Sequence, residues 1–399
     1  MSLTDLDRRN MLAGSLALGA STLAAPRMAF AKASGSRNLL FVLLRGAMDG
    51  MAMLAPTGDP DFASLRSAAL PDYAGAKTLE GLFSLHPAFA QVGVAFDARE
   101  ALFVHAVASA YRERSHFDGQ DMLESGAAKP NTMREGWLNR LVGMLRAGSA
   151  DGIGTAPRAK PVRALAIAPT MPLALRGPAP ASNYAPSALP EASGDFMNRV
   201  AQLYADDDQL AGLYAKALET RAMAADDGLR NLRDAAKAGE LAASLMRDDD
   251  GARIAMIELS GWDTHANQRG SFARPARNLD TLLGAYAKAM GSSWNNTLVL
   301  VATEFGRTAR YNGTGGTDHG TASAALLLGG AVRGGRVVAD WPGLAQNRLY
   351  QARDLMPTQS LESVLAGSVA DHFGLDPARA MSTLFPNRGT GALGGLIRT

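Results

Sequence analysis

GGTDHGTA places Asp318 and His319 side by side in a loop too rich in glycine to pack a core, in a chain that has only 6 histidines. Further pairings of the same kind occur upstream: Ser115 and His116 in RSHFDGQDMLESG, Asp263 and His265 in GWDTHANQ, Glu304 at the end of TLVLVATEF, and Asp49 in RGAMDGM. Carboxylates and imidazoles are the side chains that hold a divalent ion while leaving a position open for water or substrate. Two such ions roughly 4 Å apart would stabilise both the attacking and the leaving oxygen of a phosphoryl or sulfuryl transfer. Beside such a site, Ser115 could serve as a nucleophile. Arg45, Arg112, Arg114 and Arg307 lie next to these motifs, where a guanidinium could clamp an oxyanion.

Each residue also has a plainer reading. Asp49 could close its own turn, and Ser115, with Asp118 three residues on, could cap a helix. Asp263 could turn a loop, Glu304 could pair with Arg307 or Arg310, and Asp318-His319 could be a hydrogen-bonded loop pair. His105, inside an apolar run, and His372, in ADHFG, read as structural; His86, before Pro87, stays open.

What sets the first group apart is position. Short continuous apolar runs recur at 38–44 (NLLFVLL), 101–108 (ALFVHAVA), 162–169 (VRALAIAP), 253–259 (RIAMIEL), 297–305 (TLVLVATEF) and 322–330 (ASAALLLGG). Runs of this kind fit strands covered on both faces. Helical patterns lie between them at 87–96, 136–147, 195–246 and 279–290. The alternation predicts an α/β fold with a mostly parallel central sheet flanked by helices. The carboxyl ends of parallel strands face one crevice, and most of the acidic and imidazole residues follow strand ends. Residues 195–250 read as a helical excursion on that sheet, and 148–161 and 176–194, rich in Pro, Gly, Ser and Ala, read as loops. No internal repeat is visible.

Composition narrows the classes. At 399 residues, 47% hydrophobic and 20% charged, the chain can bury a sizeable core. Lys+Arg 40 against Asp+Glu 38 leaves +2, which gives no electrostatic case for nucleic acid or an acidic membrane surface. Zero cysteines exclude disulfides, thiolate nucleophiles and cysteine-held zinc, so any metal is held by oxygen and imidazole nitrogen. The amino terminus has Arg8-Arg9, a mildly apolar stretch and an Ala-Phe-Ala exit at 29–31. That is the layout of a twin-arginine signal peptide spanning 1–31, with 32–399 as one domain in the periplasm or outside the cell. Its apolar run is shorter than the ~20 residues a membrane span needs. Losing three arginines and two aspartates with it leaves the mature chain at +1, and no later segment is long and apolar enough to span.

The motifs FVLLRGAMDGM, RSHFDGQDMLESG, SGWDTHANQ, TEFGR, GGTDHGTASAALLLGGAVRGG and DWPGL together resemble domain-of-unknown-function family 1501 (DUF1501). The resemblance covers nearly the whole mature chain. It implies an alkaline-phosphatase-like α/β fold of the kind shared with sulfatases, and an exported metal-dependent hydrolase of phosphate or sulfate esters. On that likeness the metal ligands are Asp49, Asp263, His265, Glu304, Asp318 and His319, holding Zn, Mg, Mn or Ca. Ser115, or His116 by a slip of one residue, matches the nucleophile. Arg45 or Arg307 holds the anion. The pattern is broken at Phe305, which stands where the wider superfamily has a ligating histidine. A non-catalytic periplasmic binding or assembly protein that keeps the fold is the alternative. The resemblance also implies a protein partner in the periplasm, beside the small anionic ester.

Overall fold

Alternate residues of the first apolar run face two different cores. The computed structural model describes residues 37–150, 162–185, 194–204 and 234–398, with positions 207, 210–212, 214 and 215; the expected signal at 1–31 lies outside them. In β1 (Asn38–Leu44), Leu40, Val42 and Leu44 enter one apolar cluster and Leu39, Phe41 and Leu43 another. Every residue of β1 is buried. Removing such side chains from water contributes roughly 1.5–3 kcal/mol each, which is why this strand sits at the centre of a covered sheet.

The other strands are β2 (Leu54–Ala55), β3 (Thr78–Leu79), β4 (Phe83–Leu85), β5 (Ala101–Ala108), β6 (Ala164–Ile167), β7 (Ala181–Tyr184), β8 (Ile254–Leu259), β9 (Thr297–Thr303), β10 (Ser323–Leu328), β11 (Arg336–Val338) and β12 (Gln359–Ser360). Among the described residues, nine strands form the main sheet in the order β11-β5-β10-β9-β1-β8-β6-β7, with β12 also paired to β5; β2, β4 and β3 form a small second sheet. β1 runs parallel to both neighbours, Phe41 lying opposite Met256 of β8 and Leu300 of β9. Only β10 runs antiparallel in the main sheet, to β9 and β5.

One face is covered by the helices Ala90–Asp97, Ala235–Ser244 and Gln268–Met290, and the other by Trp137–Ala150, Leu361–Phe373 and Pro377–Leu384. The fold is α/β with a mostly parallel central sheet between helices. No described helix is long and apolar enough to cross a membrane.

Two local expectations need correction. Part of 176–194 is not loop: Ala181–Tyr184 pairs with β6 as the parallel edge strand β7. Its side chains are half-buried or exposed, so the backbone ladder holds it and no apolar run marks it. The helix expected from residue 279 starts at Gln268 and carries Pro275 inside it; burial of Phe272 and Ala276 against the core outweighs the cost of the proline.

Three histidines belong to the scaffold. His105 Nε2 meets the Leu54 carbonyl at 2.8 Å and His372 Nε2 meets that of Asn38 at 3.0 Å; burial pushes their pKa values down to about 4 and about 3. His86, left open by its sequence, accepts the Ala88 N–H and packs edge-on against Tyr73 and Phe272.

Candidate metal centre

The topology explains the convergence. β1, β5, β8 and β9 point the same way, so residues after 44, 108, 259 and 303 emerge at one sheet edge. β10 runs against them and therefore begins at that edge, immediately after Asp318 and His319. Four ligand atoms meet there. His116 Nε2 lies 3.0 Å from His319 Nε2, which lies 3.1 Å from His265 Nε2 and 3.2 Å from Asp263 Oδ1. Asp263 Oδ1 is 2.9 Å from His265 Nε2 and 3.5 Å from His116 Nε2. Four-coordinate zinc, with Zn–N near 2.0–2.1 Å, has donor–donor edges of roughly 3.3–3.4 Å. His116, Asp263 and His319 form a three-ligand group of that size, the sole such cluster among the described residues.

The hydrogen bonds behind the imidazoles decide which way their lone pairs face. His116 Nδ1 lies 2.8 Å from Glu304 Oε1, and His319 Nδ1 lies 3.0 Å from the carbonyl of Arg114. A carboxylate and a carbonyl only accept, so both Nδ1 atoms carry the proton. In the neutral rings both Nε2 atoms are then bare acceptors, 3.0 Å apart beside a carboxylate oxygen. Something positive has to lie among them, a proton or a cation. The bond to Glu304 raises the pKa of His116, while burial and then the His116 charge lower that of His319, so one shared proton suffices without an ion. A divalent ion fits the same atoms. An acceptor behind each ring is the arrangement that orients imidazole ligands toward metal.

Glu304 is fully buried, and its two oxygens are occupied: Oε1 accepts from Gly46 N–H (2.9 Å), Gln120 Nε2 (2.9 Å) and His116, and Oε2 from Thr303 Oγ1 (2.8 Å). Burial alone would raise its pKa, but the bonds from His116 and Gln120 hold it down. Glu304 therefore orients His116 from its Nδ1 side. Arg307, buried beneath the site, donates from Nη1 to Asp263 Oδ1 at 2.6 Å and is fixed by Thr317. Against the opposing effect of burial, this bond and charge lower the Asp263 pKa. The Arg307 guanidinium is thus turned to Asp263 and Thr317 and buried from solvent. Asp318 stands behind His265, 3.7 Å from its Nδ1, with Asn312 donating to it at 3.0 Å and lowering its pKa.

Phe305 stacks on His116, centroids 5.1 Å apart, and walls one side of the cluster. Two glycines permit this packing. A Cβ on Gly119 would sit 3.1 Å from the Phe305 ring and 3.3 Å from the Glu304 Cβ, so the helix bearing His116 could not lie so close. Gly46 has φ +114°, and a Cβ there would lie 2.7 Å from the Asp263 nitrogen. Ser115 is the residue before that helix (His116–Ser125), but its hydroxyl makes no capping bond; its N–H donates to Tyr111 Oη at 3.2 Å. The plain capping role is therefore not the one this serine has.

Two expected site residues lie elsewhere. Asp49 does not join the cluster: its Oδ2 accepts from Arg66 Nη1 (2.7 Å) and Gln268 Nε2 (2.8 Å), and its Oδ1 from the Ala52 N–H (3.2 Å). Arg45 is turned toward Glu258, Glu124 and Gln120, which take four hydrogen bonds from it; against the opposing effect of burial, the carboxylates of Glu258 and Glu124 raise its pKa. Gln120 was missed, although the signal was available. His116, Gln120 and Glu124 are spaced four apart, which puts them on one helix face, and Gln120 joins Arg45 to Glu304.

Residues 107–385 match the model of the family described as "Protein of unknown function (DUF1501)". No curated protein matches the chain. Similar solved structures include the lipoteichoic acid synthase LtaP from Listeria monocytogenes, at 8% identity over 87% of this chain and 74% of that one, with a TM-score of 0.41. The alkaline phosphatase from the Antarctic bacterium TAB5 is 13% identical over 73% and 90%, with a TM-score of 0.36. The phosphonate monoester hydrolase of Agrobacterium radiobacter is 13% identical over 86% and 74%, with a TM-score of 0.35.

Proposed function

We propose that this chain, which belongs to the DUF1501 family, is a metal-dependent hydrolase of anionic esters, phosphoric or sulfuric. The observation that carries the reading is the pair of Nε2 atoms of His116 and His319, 3.0 Å apart beside Asp263 Oδ1, with both Nδ1 protons already engaged. His116, Asp263 and His319 would hold one ion. Two imidazoles and one carboxylate favour zinc over magnesium or calcium, which prefer all-oxygen sites. When bound, such an ion supplies positive charge for the ester oxygens and lowers the pKa of a coordinated hydroxyl.

The remaining work falls to this chain's own groups. Ser115, next to His116 and free of a capping bond, is the nucleophile. Its Oγ forms the bond to phosphorus or sulfur as its proton passes to solvent, and the ester oxygen leaves with the bonding pair; water then displaces the serine, one water proton restoring its hydroxyl and the other staying on the released anion. His265, with its side chain 48% exposed, is the most open of the three imidazoles. Its Nε2 holds the proton that the leaving oxygen takes and regains one from solvent, with Asp318 3.7 Å behind Nδ1. Glu304 and Arg307 fix the orientation of His116 and Asp263. The twin-arginine layout of residues 1–31 supports a reaction in the periplasm or outside the cell.

Elemental analysis of protein purified without chelators tests the reading, together with aryl phosphate and aryl sulfate turnover. One zinc per chain is expected, lost in His116→Ala and His319→Ala. Ser115→Ala is expected to keep the zinc and lose turnover. Absence of metal and of cleavage across both ester types would overturn it. Metal retained with no turnover of any ester would favour the binding or assembly protein instead.

A further inference from the structure

On the side away from Nε2, His319 touches a second, differently charged group. Its Nδ1 meets the carbonyl of Arg114, which has a left-handed backbone (φ 61°), and its own carbonyl accepts from Arg353 Nη2. The guanidiniums of both arginines converge on one wholly buried carboxylate, Asp354. Arg114 reaches Oδ2 from Nε at 3.0 Å and from Nη2 at 2.9 Å; Arg353 Nε reaches Oδ1 at 2.8 Å; Thr321 Oγ1 adds a bond of 2.8 Å. One carboxylate thus faces two cations.

A third cation stands close by. Arg112, half-buried, donates to the carbonyls of Ser109 and Tyr111, and no carboxylate among the described residues pairs with it. The acid nearest in its field, Glu362, is engaged by Arg388 at 3.2 Å, the Ala110 N–H at 3.1 Å and Ser360 Oγ at 3.0 Å. Three guanidiniums against one carboxylate leave a surplus of two positive charges; Arg353 donates to the His319 carbonyl, and Arg112 lies in the field of Arg114. Partial burial of a cation without a counter-ion is unfavourable, and Arg353 keeps nearly half its side chain open to solvent.

We propose that Arg112, Arg114 and Arg353 form an anion subsite beside the ion site, and that the substrate carries a second oxyanion group next to the ester that is cleaved. The chemical class is a compound with two neighbouring anionic groups, such as a phosphate or sulfate ester with a further phosphate, sulfate or carboxylate. The relation to cleavage rests on the proposed function, whereas anion binding by the three arginines does not require the ion.

The test is calorimetric titration of the full chain with inorganic pyrophosphate and orthophosphate, first in chelator and then after zinc loading and chelator removal. Chelated wild-type protein is expected to bind pyrophosphate. Arg112→Gln and Arg353→Gln are each expected to weaken that binding about tenfold, the size of one lost charge-assisted contact. Arg310→Gln, removing an exposed charge outside the subsite, is expected to leave it within about twofold, which separates a built subsite from bulk charge. In the zinc-loaded protein pyrophosphate should exceed orthophosphate by about tenfold, a preference the glutamine variants abolish without losing orthophosphate. Unchanged melting of the variants shows that they fold, and Arg112→Lys, which keeps the charge, should retain most of the binding. No pyrophosphate binding by chelated wild-type protein, or equal binding by the variants, overturns the subsite. Failure of zinc to bind, together with no cleavage of either ester type, defeats the proposed function and leaves the chelated titration decisive for the arginines.

Discussion

Replacing Glu304 by glutamine separates an orienting role from a ligand role, because the neutral amide fits the same hydrogen bonds. Its oxygen at the Oε1 position keeps the donors Gly46 N–H, Gln120 Nε2 and His116 Nδ1. Its NH2 at the other position donates to Thr303 Oγ1, whose hydroxyl then donates to the Leu44 carbonyl, 2.8 Å away. Every buried polar atom stays partnered, so only the charge is lost. The chelated variant should therefore unfold within about 1 kcal/mol of wild type. Zinc affinity should fall about 10–100-fold, the cost seen when the group behind an imidazole ligand is changed, which converts to about 1.4–2.8 kcal/mol. The assay is competition for zinc against a chromophoric chelator, paired with urea unfolding in excess chelator. Zinc binding at wild-type affinity would refute the claim that Glu304 sets the donor strength of His116. Complete loss of binding in a folded variant would instead make Glu304 a direct ligand.

Asp49→Asn should cost roughly 3–5 kcal/mol, because it strands Arg66 in a pair whose two side chains are each 1% exposed; urea unfolding measures this, and zinc content should not change. Gly46→Ala should cost roughly 1–3 kcal/mol for the left-handed backbone and also weaken zinc binding, since the new methyl pushes on the Asp263 backbone; melting and metal titration report the two effects separately. The pH response of chelated protein follows from His116, whose folded pKa is raised by Glu304. Its contribution is fully present below the unfolded imidazole value of ~6.5 and is lost as pH rises through the raised value. The opposite shift of His319 acts in both proteins, so the melting difference between wild type and Glu304→Gln should be larger at pH 5.5 than at pH 8.5; a pH-independent difference would contradict this. Zinc competes with the same proton, so affinity should climb with pH until His116 is neutral, a plateau reached at lower pH in Glu304→Gln.

The central sheet was legible because its strands are buried on both faces: NLLFVLL and TLVLVAT read as strands and are strands. Tertiary context hid the rest. β10 is as apolar as its parallel neighbours, and nothing local records that it runs the other way. β7 is held by backbone ladder bonds, which leave no composition signal. At the site, residue type was visible and role was not. Asp49, Glu304 and Asp263 all follow strands, yet only Asp263 offers an oxygen to the Nε2 atoms of the imidazoles, because Arg66 and Gln268 hold Asp49 while Glu304 is engaged by His116 Nδ1, Gln120 and Gly46. Asp354 and Arg353, which border His319 from behind, lie on no motif and follow no apolar run. Only the fold brings them there.

Charge explains why the cluster suits one divalent ion better than two. With neutral imidazoles, Asp263, Glu304 and Asp318 carry three negative charges, and Arg307, bonded to Asp263, cancels one of them. Counted without the arginines beyond His319, the deficit is two positive charges, which one divalent ion at His116, Asp263 and His319 would supply. A second ion would need further carboxylates. Asp49 is neutralised by Arg66, Glu124 and Glu258 are tied to Arg45, and a phenyl ring fills the flank of His116 where another imidazole would have to stand. A single ion leaves less positive charge for the oxygens of an anionic ester than a pair would. The arginines beyond His319, in excess over Asp354, would add positive charge beside such an ion.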